Sequence, residues 1–471
     1  MFPCICFPQL VSDFYKIDNN SNLFINKYTI DTVSKKLSFS PRITYVRFIK
    51  QKDVSYSLND IFCIGFKFNY SINEKLKFKS EVLNLGGTFP NSLDNYIDSL
   101  SVYPGYGEIL NKGYDYSFRV TYILSKYFKF DIGRGKHFIG SGYRSLLISN
   151  ESTAYPYISV STNVWKFRYY NLYTFLSDIR DPQTKRNKYA TIHYLEYAPT
   201  DYLSFGLFES VIWEGQDSTY NRGYDIEYLN PIIFYRPIEF SKNSPDNVLI
   251  GATVQFKYNT TSLYGQFVLD DLNIAMNTNR TYTGDPSSGG YFQDKYAYQI
   301  GLKSDHLFSF KNLGILIEFN QAQPYTYAHK YPLQNYTHYN QALAHPLGAN
   351  FREFIFISKY RYQNWDFVFK YTNSVYGGDT LKSHYGQNIF LSDYFAQLGG
   401  IASYGNFNGQ GLKTKLHNIY TDISYSLKDL NNLKVYCGLA LRKKESEIIK
   451  KDDLWFFLGL RTFFYSPFQD Y

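Results

Sequence analysis

The sequence predicts an all-β chain that closes into a membrane-spanning barrel, and three observations support this prediction. Aromatic residues make up 20% of the 471 residues and charged residues 19%, against roughly 25% charged residues in an average soluble domain. Apolar and polar residues alternate with period two along most of the chain. Short and long connections alternate between these segments, which is typical of bacterial outer-membrane barrels.

The composition argues against other classes of protein. No stretch approaches the roughly 18 uninterrupted apolar residues that a membrane helix needs, and the mean hydropathy is −0.35. So aromatic a chain can bury enough surface to fold, which excludes disorder. Helix-forming residues and continuous Val/Ile/Leu strands are scarce, so a soluble α/β enzyme is poorly supported.

Eighteen segments have the pattern of strands. In residues 116–124, Tyr116 and Phe118 alternate with Ser117 and Arg119, so one face is apolar and the other polar. The predicted strands lie near residues 40–49, 61–70, 75–83, 116–124, 127–133, 157–161, 164–175, 188–197, 202–211, 248–258, 262–270, 294–303, 312–320, 351–360, 364–372, 417–427, 433–442 and 454–465.

The connections between these segments predict how the barrel is oriented. Eight are mostly short: 71–74, 125–126, 162–163, 199–201, 259–261, 304–311, 361–363 and 428–432. They alternate with nine longer ones, which include 84–115, 212–247, 321–350 and 373–416. We therefore expect an 18-stranded antiparallel transmembrane outer-membrane β-barrel with short periplasmic turns and long extracellular loops. A β-sandwich or propeller is the weaker alternative, because no blade-length repeat is present.

The N-terminal region is expected to lie apart from the barrel. Residues 1–39 are predicted to be the remnant of a signal or periplasmic lead-in, and residues 40–471 the barrel. The first ten residues, MFPCICFPQL, are apolar but lack a basic segment before them. Strand alternation places Cys63 with the polar face and Cys437 with the apolar face, so these cysteines are not expected to form a disulfide.

No motif for catalysis or cofactor binding is present, so we expect a non-enzymatic protein without cofactors. The sequence has no nucleophile elbow, zinc-protease motif or phosphate-binding loop. His329, His338 and His345 fall close together, but their spacings match no short chelating pattern, and no metal site is predicted. The glycine-rich segment 133–142 is predicted to bend a loop into the barrel mouth.

Charge and aromatic content indicate which partners would fit. The net charge of +8 is spread along the chain, which suits an acidic polysaccharide or lipid headgroups but is too weak and diffuse for nucleic acid. Aromatic and basic residues are neighbours in the loops, as in Tyr143–Arg144 and Tyr235–Arg236. Aromatic faces stack on sugar rings and arginine binds carboxylates, although the same residues could equally pack the loops over the barrel mouth.

Three segments carry a resemblance to a known family. GRGKHFIGSGYRSLLISNESTAYPYI (133–158) resembles the glycine-rich region and following serine/leucine stretch of the capsule-assembly Wzi family. YLNPIIFYRPIEF (228–240) and NYTHYNQALAHPLGANFREF (335–354) are similar to further segments of its Bacteroidota branch, which includes the gliding-motility protein RemB. The resemblance runs from about residue 40 to the C-terminus. It departs from the family at residues 11–39, where the helical periplasmic portion of Wzi has no clear counterpart.

The resemblance implies a function at the cell surface. It implies an 18-stranded, non-enzymatic, lectin-like barrel in a Gram-negative outer membrane, acting in capsule assembly or in gliding-related adhesion. Its partners would be surface polysaccharide, outer-membrane lipid and capsule-export or surface-adhesion proteins. In the matching segments, the candidate polysaccharide contacts are Arg134, Tyr143, Arg144, Tyr235, Arg236, His338 and His345. The main alternative is a porin or substrate channel, and an outer-membrane hydrolase is a third hypothesis that the missing motifs disfavour.

Overall fold

A computed structural model describes residues 37–463, apart from 53–54, 106, 109–112, 182, 217–221, 232–245, 272–289, 307–311, 381–382, 394–403 and 428–432. Eighteen antiparallel strands form one closed sheet. Here only the barrel strands are numbered. They are β1 (Leu37–Lys52), β2 (Ser55–Ser71), β3 (Leu76–Gly87), β4 (Tyr114–Ile123), β5 (Phe128–Gly135), β6 (Tyr155–Val164), β7 (Phe167–Asp178), β8 (Arg186–Tyr197), β9 (Leu203–Glu214), β10 (Asn247–Tyr258), β11 (Thr261–Asp271), β12 (Lys295–Ser304), β13 (Leu313–Ala322), β14 (Phe351–Tyr362), β15 (Trp365–Gly378), β16 (Leu412–Leu427), β17 (Leu433–Glu445) and β18 (Lys450–Arg461).

The first and last strands close the barrel. β1 pairs with β18 in antiparallel register, with Thr44 opposite Arg461 and Ile49 opposite Phe456. Every other strand pairs with its neighbours in the sequence, so the sheet has no free edge. The predicted 18-stranded antiparallel barrel is therefore confirmed, and each predicted segment overlaps one of the strands. The predicted lead-in falls largely on residues 1–36, which lie outside the described residues.

Two connections at the outer end are short, although the predicted pattern makes the outer connections long. β1 and β2 are joined by residues 53–54, and β17 and β18 by residues 446–449, both at the end that carries the long loops. The strand ladders continue to these turns, with Lys52 opposite Ser55 and Glu445 opposite Lys450. Their outer ends are polar, as in Lys443 and Lys444, so the apolar–polar alternation that marks a strand is lost there.

The two faces of the wall differ as the alternation predicts. On β18, Leu454, Phe456 and Leu458 are exposed on the outside, whereas Trp455 and Phe457 are buried inside. Cys437 is exposed and Cys63 is buried, which agrees with their predicted positions on opposite faces of the wall. An outward apolar band is the surface that a lipid bilayer covers, and short turns mark the periplasmic end of such barrels. None of the described residues forms a helix long and apolar enough to cross a membrane.

Among the described residues, the outer connections also contain helix α1 (Asn91–Leu100), the 3-10 turns Ile226–Leu229 and Pro332–Gln334, and two small hairpins. One hairpin pairs Val102–Tyr103 with Gly107–Glu108, and the other pairs Thr337–His338 with Gln341–Ala342. Ile97 of α1 packs against inward side chains such as Leu83 and Trp455. The α1 segment therefore covers the β1–β3 side of the lumen.

Two further connections contribute to a buried core inside the barrel. Ile139, Leu146 and Leu147 come from the connection 136–154, and Tyr327 and Leu343 come from the connection 323–350. They share one apolar cluster with wall residues such as Leu172 of β7, Ile192 of β8 and Val268 of β11. We call residues 136–154 and 323–350 together the plug.

A third connection follows a different course, on the outside of the wall. The backbone carbonyls of Leu229 and Tyr228 accept hydrogen bonds from the outward side chains of Tyr173 and Thr191 at 3.1 and 2.9 Å. Tyr228 also packs against the outward Trp213 of β9. The described part of this connection, residues 222–231, thus lies against β7–β9 rather than in the lumen.

Candidate functional site

The connection 136–154 crosses the lumen. It leaves β5 and returns to β6, yet its middle part contacts inward side chains of β11 to β15. The Gln266 side chain of β11 accepts from the Leu146 amide at 2.9 Å, and Lys370 of β15 approaches the Tyr143 hydroxyl at 3.3 Å. Because β13 lies eight strands beyond β5 in a ring of eighteen, these contacts are with the opposite wall.

Two glycines explain how the chain makes this crossing. Gly140 has φ of 146°, a conformation that side-chain-bearing residues rarely adopt. Gly142 approaches the wall so closely that a Cβ atom there would lie 2.3 Å from Oε2 of Glu318. The prediction that the glycine-rich segment 133–142 bends a loop into the barrel is therefore confirmed.

The Glu318 carboxylate of β13 holds the tip of the crossing loop. Its Oε2 accepts from the Tyr143 amide at 2.7 Å and from the Tyr264 hydroxyl at 2.8 Å. Its Oε1 accepts from the Arg144 amide at 3.0 Å and from Asn320 Nδ2 at 2.9 Å. A buried carboxylate needs such donors to offset its lost hydration. The two bonds from the Tyr143 and Arg144 amides fix the loop backbone to the wall, and those from Tyr264 and Asn320 hold the carboxylate in place.

The Glu353 carboxylate of β14 joins both parts of the plug to the wall. Its Oε2 lies 2.7 Å from His345 Nε2 and 3.4 Å from Arg144 Nε. Arg144 Nη1 donates to Glu151 Oε1 at 2.9 Å within its own loop. His345 belongs to the connection 323–350, and its ring stacks on Phe351 with centroids 4.1 Å apart. Arg144, His345 and Glu353 are all buried, so this charged cluster lies away from solvent.

A buried lysine fixes the connection 323–350 to the other side of the wall. Lys188 of β8 donates to the backbone and side-chain oxygens of Asn335 and Thr337 at 2.7–3.2 Å. The two parts of the plug also contact each other, because the Tyr327 hydroxyl donates to the Leu146 carbonyl at 2.7 Å and the Ser149 amide donates to the Leu343 carbonyl at 2.7 Å. Within the described residues, the plug is a packed unit rather than a pair of loose loops.

The structure places the predicted polysaccharide contacts in different surroundings. Tyr143, Arg144 and His345 are brought together at the Glu318 and Glu353 carboxylates, inside the barrel. His338 is buried elsewhere in the plug, where its Nδ1 accepts from the Ser177 amide at 3.0 Å. Arg134 lies near the outer end of β5, where Nη1 is 3.0 Å from Asp115 Oδ1. Tyr235 and Arg236 lie outside the described residues, and polysaccharide contact by all seven stays a prediction.

Burial controls the charge of the plug histidines. It lowers the pKa of His338 to about 3 and the pKa of His137 well below its usual value. Burial also lowers the pKa of His345 by more than the Glu353 carboxylate raises it. Among the described residues, no three potential metal ligands converge. These imidazoles thus act as neutral packing and hydrogen-bonding groups at neutral pH.

This burial predicts that acid loosens the plug. A solvated imidazole has a pKa of about 6.5, so the docked state, with lower pKa values, binds fewer protons. The docked plug is most stable above pH 6.5. Its stability decreases as the pH is lowered from 6.5 towards the pKa of the docked histidine, which is about 3 for His338. Lowering the pH from 7 to 5 should cost about 2 kcal/mol per fully buried histidine. Cleavage of the plug by a protease active at both pH values should therefore be faster at pH 5.

A matched variant tests the origin of this pH dependence. In His338→Asn the side-chain oxygen can still accept from the Ser177 amide, but the group no longer titrates. The variant should show a smaller increase in cleavage between pH 7 and pH 5 than the unmodified protein. Equal pH dependence in both proteins would show that His338 does not contribute.

A separate cleft lies at the outer rim, near the outer ends of β12 and β14. It has a volume of 340 Å³ and is lined by Gly290, Tyr291, Phe292, Asp294, Tyr296, Gln323, Pro324, Tyr325, Arg352, Asn406, Phe407 and Asn408. Asn408 Nδ2 donates to the Phe351 carbonyl at 3.1 Å, and the Asn406 amide donates to the Gly290 carbonyl at 3.0 Å. Two outer connections and the start of β14 are thereby held together around the cleft.

The cleft has the groups that bind sugars. Phe407 is 63% exposed, and Arg352 is exposed near the outer end of β14. The Tyr296 hydroxyl accepts from Gln323 Nε2 at 2.9 Å, so this ring is held in place. Aromatic rings, side-chain amides and an arginine provide stacking, hydrogen bonding and carboxylate recognition. These residues were not predicted from the sequence, although Phe407 stands between two asparagines, a combination that suits sugar binding.

Comparison with solved structures supports the fold. Wzi is described as an outer-membrane protein of Escherichia coli group 1 capsule assembly and as a carbohydrate-binding β-barrel. It aligns with a TM-score of 0.54 and 11% identity over 92% of this chain and 85% of Wzi. The chain has the fold of an outer-membrane barrel. OccAB2 of Acinetobacter baumannii aligns at a TM-score of 0.46 and 11% identity over 90% of this chain and 97% of its own. OprD of Pseudomonas aeruginosa aligns at 0.43 and 10% over 90% and 94%. No family model and no curated protein matched the sequence.

Proposed function

We propose that the protein is a non-enzymatic outer-membrane barrel that binds surface polysaccharide through its outer face. The observation that carries this proposal is the packed plug, which leaves the outer rim as the surface available to a large glycan. Lys188 of β8 binds Asn335 of the plug, and Glu353 of β14 pairs with Arg144, so buried charged groups tie the plug to two parts of the wall. The likeness to Wzi, which is described as carbohydrate-binding, supports the same function.

The rim cleft is the proposed contact site. Phe407 would stack on a sugar ring, Arg352 would bind a carboxylate of an acidic glycan, and Asn406 and Asn408 would hold hydroxyl groups. Arg144 and His345 would support this rim from below by holding the connection 323–350 in place. The proposal concerns glycan binding itself, whether it acts in capsule attachment or in gliding-related adhesion.

Removal of the cleft side chains should weaken polysaccharide binding. Arg352→Ala and Phe407→Ala should each raise the Kd for polysaccharide extracted from the organism's own surface by about tenfold, since each removes one charged or stacking contact. Binding is measured on the purified barrel in detergent by biolayer interferometry. The interaction of the unmodified protein should weaken with salt, because Arg352 is exposed to solvent.

A matched arginine and a modified glycan serve as controls. Arg47 is also exposed on the outer wall, where it pairs with Asp60 at 2.7 Å on the β1–β2 side. Arg47→Ala should leave the Kd unchanged. Reducing the carboxyl groups of the glycan should weaken its binding to the unmodified protein. The same reduction should not weaken its binding to the Arg352→Ala variant any further. An absence of saturable binding to a folded barrel would overturn the proposed function.

A further inference from the structure

A group of lysines lies on the outside of the barrel at the outer ends of β16, β17 and β18. Lys413 and Lys415 are exposed on β16, and Lys450 is exposed on β18. Lys443 of β17 faces the same way and lies 3.8 Å from Asp452. We call these four residues the lysine strip. Because alternate residues share a face, their side chains all point away from the lumen.

The strand register places these lysines side by side. Lys415 is opposite Glu445, and Glu445 is opposite Lys450. Lys443 lies between His417 and Asp452 in the adjacent row. Neighbouring strands are about 4.8 Å apart, so the four ammonium groups can converge on one anionic group. Four lysines against the nearby carboxylates of Glu445, Glu447 and Asp452 leave an excess of positive charge.

An apolar groove lies on the same strands as the strip, closer to the middle of the wall. It has a volume of 540 Å³ and is lined by Ser358, Tyr360, Phe367, Val368, Phe369, Thr421, Asp422, Ile423, Cys437, Gly438, Leu439, Phe456 and Phe457. On its outward face, the small side chains of Thr421 and Cys437 lie among the large ones of Phe369, Ile423 and Phe456. Thr421 comes six residues after Lys415 on β16, which corresponds to about 20 Å along the strand.

We propose that the lysine strip and this groove together bind one phosphorylated glycolipid of the outer leaflet. The ammonium groups would bind its phosphate, and an acyl chain would lie in the groove. A lipid fits both features, since the groove opens on the wall that the bilayer covers while the strip lies at the outer end of the same strands. A polysaccharide would fit the strip alone and leave the groove without an occupant. This inference is independent of the glycan site at the rim.

The headgroup is tested with lipid A as the probe. Native mass spectrometry of the purified barrel should show saturable binding of bisphosphorylated lipid A. Replacing Lys413, Lys415 and Lys450 with alanine should lower the affinity at least about fivefold, because three phosphate-binding charges are lost. Replacing Lys75, Lys126 and Lys166, which are exposed in the periplasmic turns, removes the same charge and should have no effect. Equal binding by the strip variant, or equal binding of dephosphorylated lipid A, would overturn the proposal.

The groove is tested separately through its cysteine. Cys437 is exposed and Cys63 is buried, so a membrane-soluble maleimide should label Cys437 in a protein that carries Cys4→Ser and Cys6→Ser. Saturating lipid A should slow this labelling, and Thr421→Phe, which fills the groove, should weaken lipid A binding. An unchanged labelling rate at saturation would show that the acyl chain does not occupy the groove.

Discussion

Removing the plug should convert the barrel into a conducting pore. In one variant, short glycine–serine linkers replace residues 138–150 and 327–347. The linkers can close because the flanking strands are paired, with Gly135 opposite Tyr155 and Ala322 opposite Phe351. Single-barrel conductance in planar bilayers should rise at least about tenfold, since 16–18-stranded barrels without a plug enclose an aqueous channel.

Two controls separate an open lumen from a damaged barrel. The variant must keep the heat-dependent electrophoretic mobility of a folded barrel. A second variant, in which glycine and serine replace residues 224–230 on the outside of the wall, should keep the low conductance of the unmodified protein. A large conductance in the unmodified protein would contradict a closed lumen and favour the channel alternative.

The barrel could be predicted from sequence because its signal is local. In a closed barrel every second side chain faces the lipid, so the alternation on β18 directly reports which residues point outward, as Leu454 and Trp455 show. The polar outer ends of β17 and β18 were the exception. There the strands extend beyond the apolar band, so the hydrogen-bonded ladder continues without the pattern that reveals it.

The inside of the barrel could be predicted only in part. The glycines of 133–142 indicated an inward loop, because their conformational freedom is visible locally. The partners of that loop were not visible, since Arg144 and Glu353 are 209 residues apart in the chain. Neighbouring aromatic and basic residues suggested exposed sugar contacts. However, a pair that binds sugar and a pair that packs inside the barrel look the same in the sequence. Tyr143 and Arg144 lie inside the plug, whereas the rim cleft depends on three separate connections.

Glu353→Ala should destabilise the docked plug more than any other single substitution at the charged cluster. The change removes the carboxylate that lies 2.7 Å from His345 and 3.4 Å from Arg144, and it leaves the buried guanidinium with less compensation. Breaking a buried ion pair by removing one partner costs about 3–5 kcal/mol. The loss should appear as faster proteolysis between residues 136 and 154 and as a lower urea midpoint for the plug, while the barrel wall remains folded. Asp60→Ala, which breaks the exposed pair with Arg47, should change neither measurement.

A double variant determines whether the charges or the shape of this cluster hold the plug. Glu353→Leu combined with Arg144→Met replaces the ion pair with apolar groups of similar size, and such replacements are often neutral or stabilising. The double variant should therefore recover much of the stability lost in either single variant, with a coupling energy of about 1–3 kcal/mol in the corresponding cycle. None of these variants changes His345 or Phe351, whose rings stack. The stacking therefore does not explain a difference in stability between the single and double variants. If the double variant is as unstable as the sum of the single variants, the two charges do not act as a pair, and the plug is held mainly by the Glu318 and Lys188 contacts.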